Sequence, residues 1–331
     1  MEDFASTAMI RVMLAGIVRL GLPHAHRTPH RTAHTSLPDK RAIVQHVLQV
    51  GGWSALLQLG QGIHDLHDEP LLNVLVQKGR PWRALTAWVR LEKYLHSRHH
   101  IVQRQISEYM VEHKHEGKRP GAVPIVAESW LVLGVLVALL QRSDCKNINV
   151  FLRDDQQLIA ADRLIVTEPV LRKWVMGGEA QAWKIDWQLP NPELAPTTSE
   201  AGVQMRLEDT NDFAVQVLNR IRDMDNCQPE LRDVAQSLNL SARTLQRKLG
   251  NQGSRFVDII GIERTNRASH LLAHSKIALA EVGFTCGYTD QAHFCRDFRQ
   301  RTGVPPKVFR VTSQNINETL LQSKIPKDVL L

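Results

Sequence analysis

Cysteine is scarce in this 331-residue chain: Cys145, Cys227, Cys286 and Cys295 are the only four, and no two form a CxxC pair. Such spacing suits neither a disulfide framework nor a zinc site, so the expectation is reduced thiols in a cytoplasm, with no metal and no cofactor. Long apolar runs are missing as well. The greasiest, Trp130 to Leu140, has eleven residues between Glu128 and Arg142. That is roughly half of the 20 or so a bilayer requires, and it reads as a buried helix. The opening Met-Glu-Asp has the wrong charge for a secretory leader, and Arg11 and Arg19 interrupt the apolar stretch behind it. A soluble, cytoplasmic protein with no membrane partner is expected. No glycine-rich phosphate loop and no strained nucleophile turn is found; Cys145 stands in Ser-Asp-Cys-Lys without flanking glycines. These absences argue against an enzyme.

What is present is ordinary globular composition, 43% apolar and 23% charged, at a length that suggests two domains. Residues 191–206 concentrate Pro, Thr, Ser, Ala and Gly without period and read as a linker. Before it, residues 1–39 read as an N-terminal helix and an irregular segment rich in His, Thr and Pro. Residues 40–190 read as an α+β effector or dimerisation domain. Helical spacing is expected over Lys40–Gln61, Pro81–Arg98 and Pro124–Gln141, and strands over Ile148–Leu152, Leu164–Val166 and Trp183–Trp187. Ile101–His113 is read as a strand pair. Residues 207–311 show only short helices between turn residues, an all-α domain, and 312–331 form a tail.

Within that all-α region, Pro229 to Gly250 has the anatomy of a helix-turn-helix. The first helix is expected to open at Pro229 and to turn Leu231, Val234, Ala235 and Leu238 inward. Asn239 tolerates the left-handed turn, Leu240 plugs the junction and Ser241 caps the second helix. Leu245 and Leu249 then face in, leaving Arg243, Gln246 and Arg247 outside. The pattern repeats about 49 residues on, where Phe294-x-Arg296-x-Phe298 echoes Leu245-x-Arg247-x-Leu249. Upstream, Leu279, Val282 and Phe284 are read as the inward face of another helix. Gly287 takes the turn, Tyr288 the plug, and Thr289 or Asp290 the cap. Such self-similarity means two copies of one unit, and a long helix from Phe256 to Ala273 joins them. From Ser241 to Arg310 twelve Lys and Arg stand against five Asp and Glu, an excess equal to the formal +7 of the whole chain. The basic footprint therefore lies where the outward helices are.

These residues resemble the DNA-binding domain of the AraC/XylS family of transcription regulators. The shared landmarks, in order, are Leu240 to Arg247, Arg264, Ala268, Leu271-Leu272, Gly287-Tyr288, Phe294-x-Arg296-x-Phe298 and Thr302-Gly303-x-Pro305-Pro306-x-x-Phe309-Arg310. The resemblance implies about seven helices, two helix-turn-helix units and double-stranded DNA as partner, read in two successive major grooves about 34 Å apart. Gly52-Trp53 through Gly60, and Trp88 to Ser97, resemble the arabinose-binding-type regulatory domain of one branch. Homodimerisation through the N-terminal domain, a small-molecule effector of unknown identity and site, and activation through RNA polymerase are what the family implies. Gly283 stands where the family usually has Ala, at a helix cost of about 1 kcal/mol, and Asn239 replaces the usual turn glycine.

Base contacts are expected from Arg243, Gln246 and Arg247 in the first unit and from Gln291, His293 and Arg296 in the second. Arg can donate two hydrogen bonds to guanine and Gln can match adenine. Ser241, Thr244 and Lys307 are expected on phosphates, which position without specifying. Against this, Arg247 and Arg296 can pair internally with Asp258 or Asp297, and Arg264 is read as structural. Histidines 24, 26, 30 and 34 read as a solvated loop rather than a metal site, as does the His64 to Asp68 run as a helix end and turn. Trp53, Trp82, Trp88 and Trp130 read as core, with a pocket among them the place for an apolar effector. A ligand-independent architectural protein and an enzyme fused to the DNA-binding module are the rival readings.

Overall fold

The computed structural model describes residues 4–23, 34–66, 69–95, 98–119, 121–152, 155–176, 181–190, 213–224 and 229–322. The chain divides into two compact units, Met1–Ala195 with Thr302–Val304, and Pro196–Arg301 with Pro305–Leu331. The expected linker, 191–206, lies outside the described residues, as do Cys227 and histidines 24, 26 and 30.

The first unit is α+β. Strand β1 (Phe4–Ser6) leads into α1 (Thr7–Arg19) and pairs antiparallel with β2 (His34–Ser36), which leads into α2 (Leu37–Gln58). The end of the stretch before residue 40, expected to be irregular, is thus a short strand followed by the first turn of α2. Both helices start the same way: Ser6 Oγ accepts the Ala8 N–H and Ser36 Oγ the Asp39 N–H, each using an amide the helix cannot satisfy internally. Helix α2 is kinked at Gly52, whose φ of 70° suits a residue without Cβ. Glu168 takes up the freed donors there, accepting the Trp53 and Ser54 N–H groups at 2.8 and 3.0 Å. A 3-10 segment, residues 59–64, follows, then α3 (Pro70–Leu75) and α4 (Pro81–Leu95).

The sheet has order β3-β4-β8-β5-β6-β7 and is antiparallel throughout. Its members are β3 (His99–Ser107), β4 (Met110–Gly117), β5 (Lys146–Leu152), β6 (Gln157–Ala160), β7 (Arg163–Leu164) and β8 (Ala182–Gln188). Residues 101–113 do form a strand pair. The last strand, β8, pairs with both β4 and β5 and so lies inside the sheet, with Trp183, Ile185 and Trp187 alternating into the core while Lys184 and Asp186 do not. The sequence reading missed β6, which holds only four residues. Helix α5 (Val126–Arg142) is buried without a break from Ala127 to Leu140, as its all-round apolarity requires. That burial includes Glu128, the charged residue ahead of the apolar run; it is 1% exposed, beside Arg41 and His99 at 3.5 and 3.4 Å. Helix α6 (Glu168–Met176) lies between β7 and β8 in the chain.

Close backbone packing explains several glycines. A Cβ on Gly134 of α5 would lie 1.9 Å from the Leu57 carbonyl oxygen, and one on Gly60 would lie 2.2 Å from the Gly134 carbonyl carbon. Trp88 and Trp130 are core, each 1% exposed, whereas Trp53 and Trp82 are only partly buried. Cys145 is buried, and burial pushes its thiol up to about 12, far from a reactive thiolate.

The second unit is helical among the described residues: α7 (Phe213–Arg222), α8 (Leu231–Ser237), α9 (Ala242–Asn251), α10 (Phe256–His274), α11 (Leu279–Thr285), α12 (Gln291–Thr302) and α13 (Pro306–Gln322). Its first core joins Val217 and Ile221 of α7, Val234 and Ala235 of α8, Leu245 and Leu249 of α9, and Ile259 and Ile260 of α10. Full burial of each Leu is worth about 1.5–3 kcal/mol. Glu263 locks the arrangement, 7% exposed and paired with Arg222 of α7 at 3.0 Å and Arg267 at 2.8 Å. Among the described residues no helix is long and apolar enough to cross a membrane, and no group of His, Cys, Asp and Glu is arranged to hold a metal ion.

Candidate nucleic-acid interface

Helices α8 and α9 form the first turn-joined pair. Helix α8 begins at Leu231, not at Pro229: Glu230 is the cap, and a reciprocal box with Asp233 uses the terminal amides. Pro229 lies ahead of the cap, where its missing N–H costs nothing. At the far end Asn239 takes φ 55° and the Leu240 N–H reaches back to the Ala235 oxygen at 2.9 Å. That bond from the sixth residue to the first closes the helix end. Ser241 then caps α9, its Oγ accepting the Thr244 N–H at 3.1 Å.

The second pair, α11 and α12, reproduces this bond by bond. Gly287 takes φ 82°, and the Tyr288 N–H reaches the Gly283 oxygen at 2.9 Å. Of the two candidate caps, Asp290 serves, its Oδ1 accepting the His293 N–H at 2.7 Å. That bond holds the Asp290 carboxyl below its ordinary range. Thr289 is the extra residue that sets the two copies one position out of step.

One sequence expectation fails here. Phe284 is 79% exposed and does not join the inward face of α11. Two residues after buried Val282 a helix has turned roughly 200°, so 282 and 284 cannot share a face. Position 283 lies inward instead, and it is tight: a Cβ there would stand 3.0 Å from the Phe294 Cβ. The glycine that looked like a weak point in a helix is a point of close approach.

The inner face of α12 is aromatic. Phe294 and Phe298 are fully buried, Phe294 lies 5.3 Å from Tyr288, and Phe298 lies 5.3 Å from Phe309 of α13. Beside them runs a polar chain. The Tyr288 hydroxyl donates to Asp297 Oδ2 at 2.9 Å, Arg301 donates to the same carboxylate, and Arg264 lies over the Tyr288 ring at 5.6 Å. Arg301 fits because Gly261 leaves room: a Cβ there would stand 2.0 Å from its Nη2. So Asp297 holds Arg301 and Tyr288, and Asp258 holds Arg255, in place of the alternatives Arg247 and Arg296. Arg264 is half-buried against the Tyr288 ring.

Outside, Arg243, Gln246 and Arg247 are exposed on α9, as are Gln291 and Arg296 on α12 and Lys307 in the first turn of α13. His293 is only half-exposed, its Nδ1 3.3 Å from Thr289 Oγ1 and its ring edge-on to Tyr288. Ser241 and Thr244 are engaged in capping, their hydroxyl oxygens 2.9 Å apart. Each outward set holds guanidinium and amide groups, which can donate in pairs to base edges; in the second, the exposed cap Asp290 also lies within electrostatic reach of Arg296. The sequence reading omitted Lys248, Arg299 and Gln300, also exposed on these helices. Their spacing from Arg247 and Arg296 was a usable signal.

Residues 234–312 match a family model described as a helix-turn-helix domain. This segment is the one that carries the AraC/XylS resemblance. Curated relatives include the HTH-type transcriptional regulator VirS of Mycobacterium tuberculosis, 31% identical over 30% of this chain and 29% of that protein. The urease operon transcriptional activator of Escherichia coli is 30% identical over 27% of this chain and 30% of that one. The HTH-type transcriptional activator RhaS of Escherichia coli is 33% identical over 23% and 28% respectively. The chain thus spans under a third of the length of these relatives. Among solved structures, the transcriptional regulator CdpR of Pseudomonas aeruginosa is similar over 92% of this chain and 98% of its own, at 17% identity and a TM-score of 0.31. The C-terminal domain of AraT from Geobacillus stearothermophilus covers 30% of this chain and 84% of its own, at 25% identity and a TM-score of 0.27.

Proposed function

We propose that this chain is a DNA-binding transcription regulator of the AraC/XylS type, reading double-stranded DNA with α9 and α12. The observation that carries the reading is the two-faced build of both helices. Leu245, Leu249, Phe294 and Phe298 are sealed inside while Arg243, Gln246, Arg247, Gln291 and Arg296 stand outside. The helix-turn-helix match spans residues 234–312, a range that includes α9 and α12.

In this reading Arg243, Gln246 and Arg247 contact bases in one major groove, and Gln291, His293 and Arg296 in the next. The tether from Thr289 leaves His293 less reach than its neighbours. Ser241, Thr244 and Lys307 contact phosphates; the capping bond uses an acceptor lone pair of Ser241, and the Ser241–Thr244 hydrogen bond takes one of the two hydroxyl protons and leaves the other to donate. The first unit supplies dimerisation and effector sensing, the regulatory role the arabinose-binding-type resemblance assigns to it, and regulation is activation through RNA polymerase.

Genome-wide mapping of bound DNA followed by footprinting tests this. Arg243→Ala or Gln246→Ala should relax the preference at one base pair, at a cost of about 1–3 kcal/mol. Sequence-independent binding by the parent chain, or a preference identical in both variants, would remove these residues from the contact set.

A further inference from the structure

The first unit holds a cleft of about 680 Å³ among the part of α2 beyond the kink, the 3-10 segment that follows it, α5 and the β6–β7 hairpin. Its size lies in the range that small molecules occupy, roughly 300–1,000 Å³. It is not the tryptophan-lined pocket expected from sequence, for no Trp lines it. Leu57, Val137 and Ile159 supply an apolar floor, and Ser54, Gln58, Gln61, Gln141, Asp162 and Arg163 the polar walls.

The orientation of two of those wall residues, Gln141 and Gln61, follows from one acid. A carboxylate at neutral pH only accepts, so Gln141 must turn its amide nitrogen to Asp162, as it does at 3.2 Å. Its Oε1 then faces Gln61 and takes the Gln61 amide nitrogen at 2.9 Å. The relay ends on Gln61 Oε1, an acceptor on a residue that lines the cleft. Asp162 is itself fixed: Oδ2 accepts the Asn147 N–H at 2.8 Å, and its own N–H donates to the Ile148 oxygen at 2.9 Å. Ala161 and Asp162 both have positive φ, 46° and 68°, the signature of a tight primed hairpin turn. Asn149 Oδ1 holds that turn through the Ala161 N–H at 2.9 Å. Next along the turn, Arg163 is exposed and forms no ion pair among the described residues. One wall thus offers acceptors and negative charge, and the adjoining residue offers a guanidinium suited to a bidentate carboxylate.

We propose that this cleft binds a small zwitterion of the amino-acid class, its ammonium at Gln61 Oε1 and Asp162, its carboxylate on Arg163 and its alkyl part on the apolar floor. The inference deepens the regulator reading by giving the sensing unit a ligand class. It rests on that reading for its consequence at DNA and not for binding itself.

Calorimetric titration of the full chain without DNA tests it. The probes are the free L-amino acids, the matching amines without carboxylate and the matching acids without ammonium. At least one amino acid should bind, and Arg163→Ala and Gln61→Leu should each weaken it tenfold or more. Arg163 is exposed, so its truncation should leave the thermal midpoint unchanged and serves as the variant that folds. Silence from every amino acid, equal binding by an amine or an acid alone, or affinity unchanged in both variants would overturn the proposal. DNA binding is scored separately. Loss of sequence-specific DNA binding with the zwitterion still bound would sink the regulator reading and leave the cleft standing, and the reverse result would do the opposite.

Discussion

The phenol of Tyr288 is 2% exposed, and its hydroxyl donates to Asp297, whose carboxylate also holds Arg301. Burial, and then the negative charge of Asp297, raise its pKa above the ordinary value of about 10. The folded state therefore keeps this proton more tightly than the unfolded chain does. Its contribution is complete below about pH 10 and is lost as pH rises through the higher folded value. Tyr288→Phe should lower stability at neutral pH by about 1.5–3 kcal/mol, the net worth of one hydrogen bond to a charged group. It should also flatten the alkaline limb of a plot of melting temperature against pH; an unchanged limb would mean that another group titrates there. From sequence the aromatic plug at this position was legible, because a residue after a turn glycine has to fill the junction. Its tie to Asp297 was not, since nothing in one dimension says which of several nearby cations a carboxylate will choose.

Helices were legible where their faces differed and less so where they did not. Helix α9 could be assigned residue by residue, because Leu245 and Leu249 recur every four positions and Ser241 announces its start. Phe284 was misread because apolar character was counted without its angle around the axis. The kink of α2 went unseen, since Gly52 interrupts an otherwise helical pattern and its partner, Glu168, is far off in sequence. Contact between α5, α2 and the 3-10 segment is set by backbone approach, not by side-chain shape. Gly134→Ala should therefore destabilise the chain by roughly 1–3 kcal/mol or more, because the atom it would strike, Leu57 O, is backbone and cannot swing aside. That outcome opposes the gain of about 1 kcal/mol that alanine normally brings to a helix interior. Urea unfolding measures it, and a stabilised variant would contradict the packing described.

For the molecule as a whole, the excess of basic residues lies between Ser241 and Arg310. Within that segment Arg255, Arg267 and Arg301 neutralise their own carboxylates. Arg243, Arg247, Lys248, Arg296, Arg299 and Lys307 remain on the exposed surface. Each that meets a phosphate should steepen the fall of affinity with salt by about 0.9 in a log–log plot. Lys307→Ala should weaken binding equally on specific and unrelated duplexes and reduce that slope by about 1. A change confined to one sequence would make Lys307 a base reader. The basic charge itself could be counted from composition, but not which cations were already paired with carboxylates of their own.

Periodicity and turn residues were enough to read an α+β unit followed by a helical one, and internal repetition pointed to a duplicated motif in the second. These are local features, encoded within ten or twenty residues and written in the order in which they occur. Pairings between distant segments were settled by folding alone: β8 entering the centre of the sheet, Glu168 capping a kink 115 residues away, the amide relay that ends on Gln61. Each depends on which groups meet when two surfaces close, and the geometry of that closure is a property of the packed core as a whole.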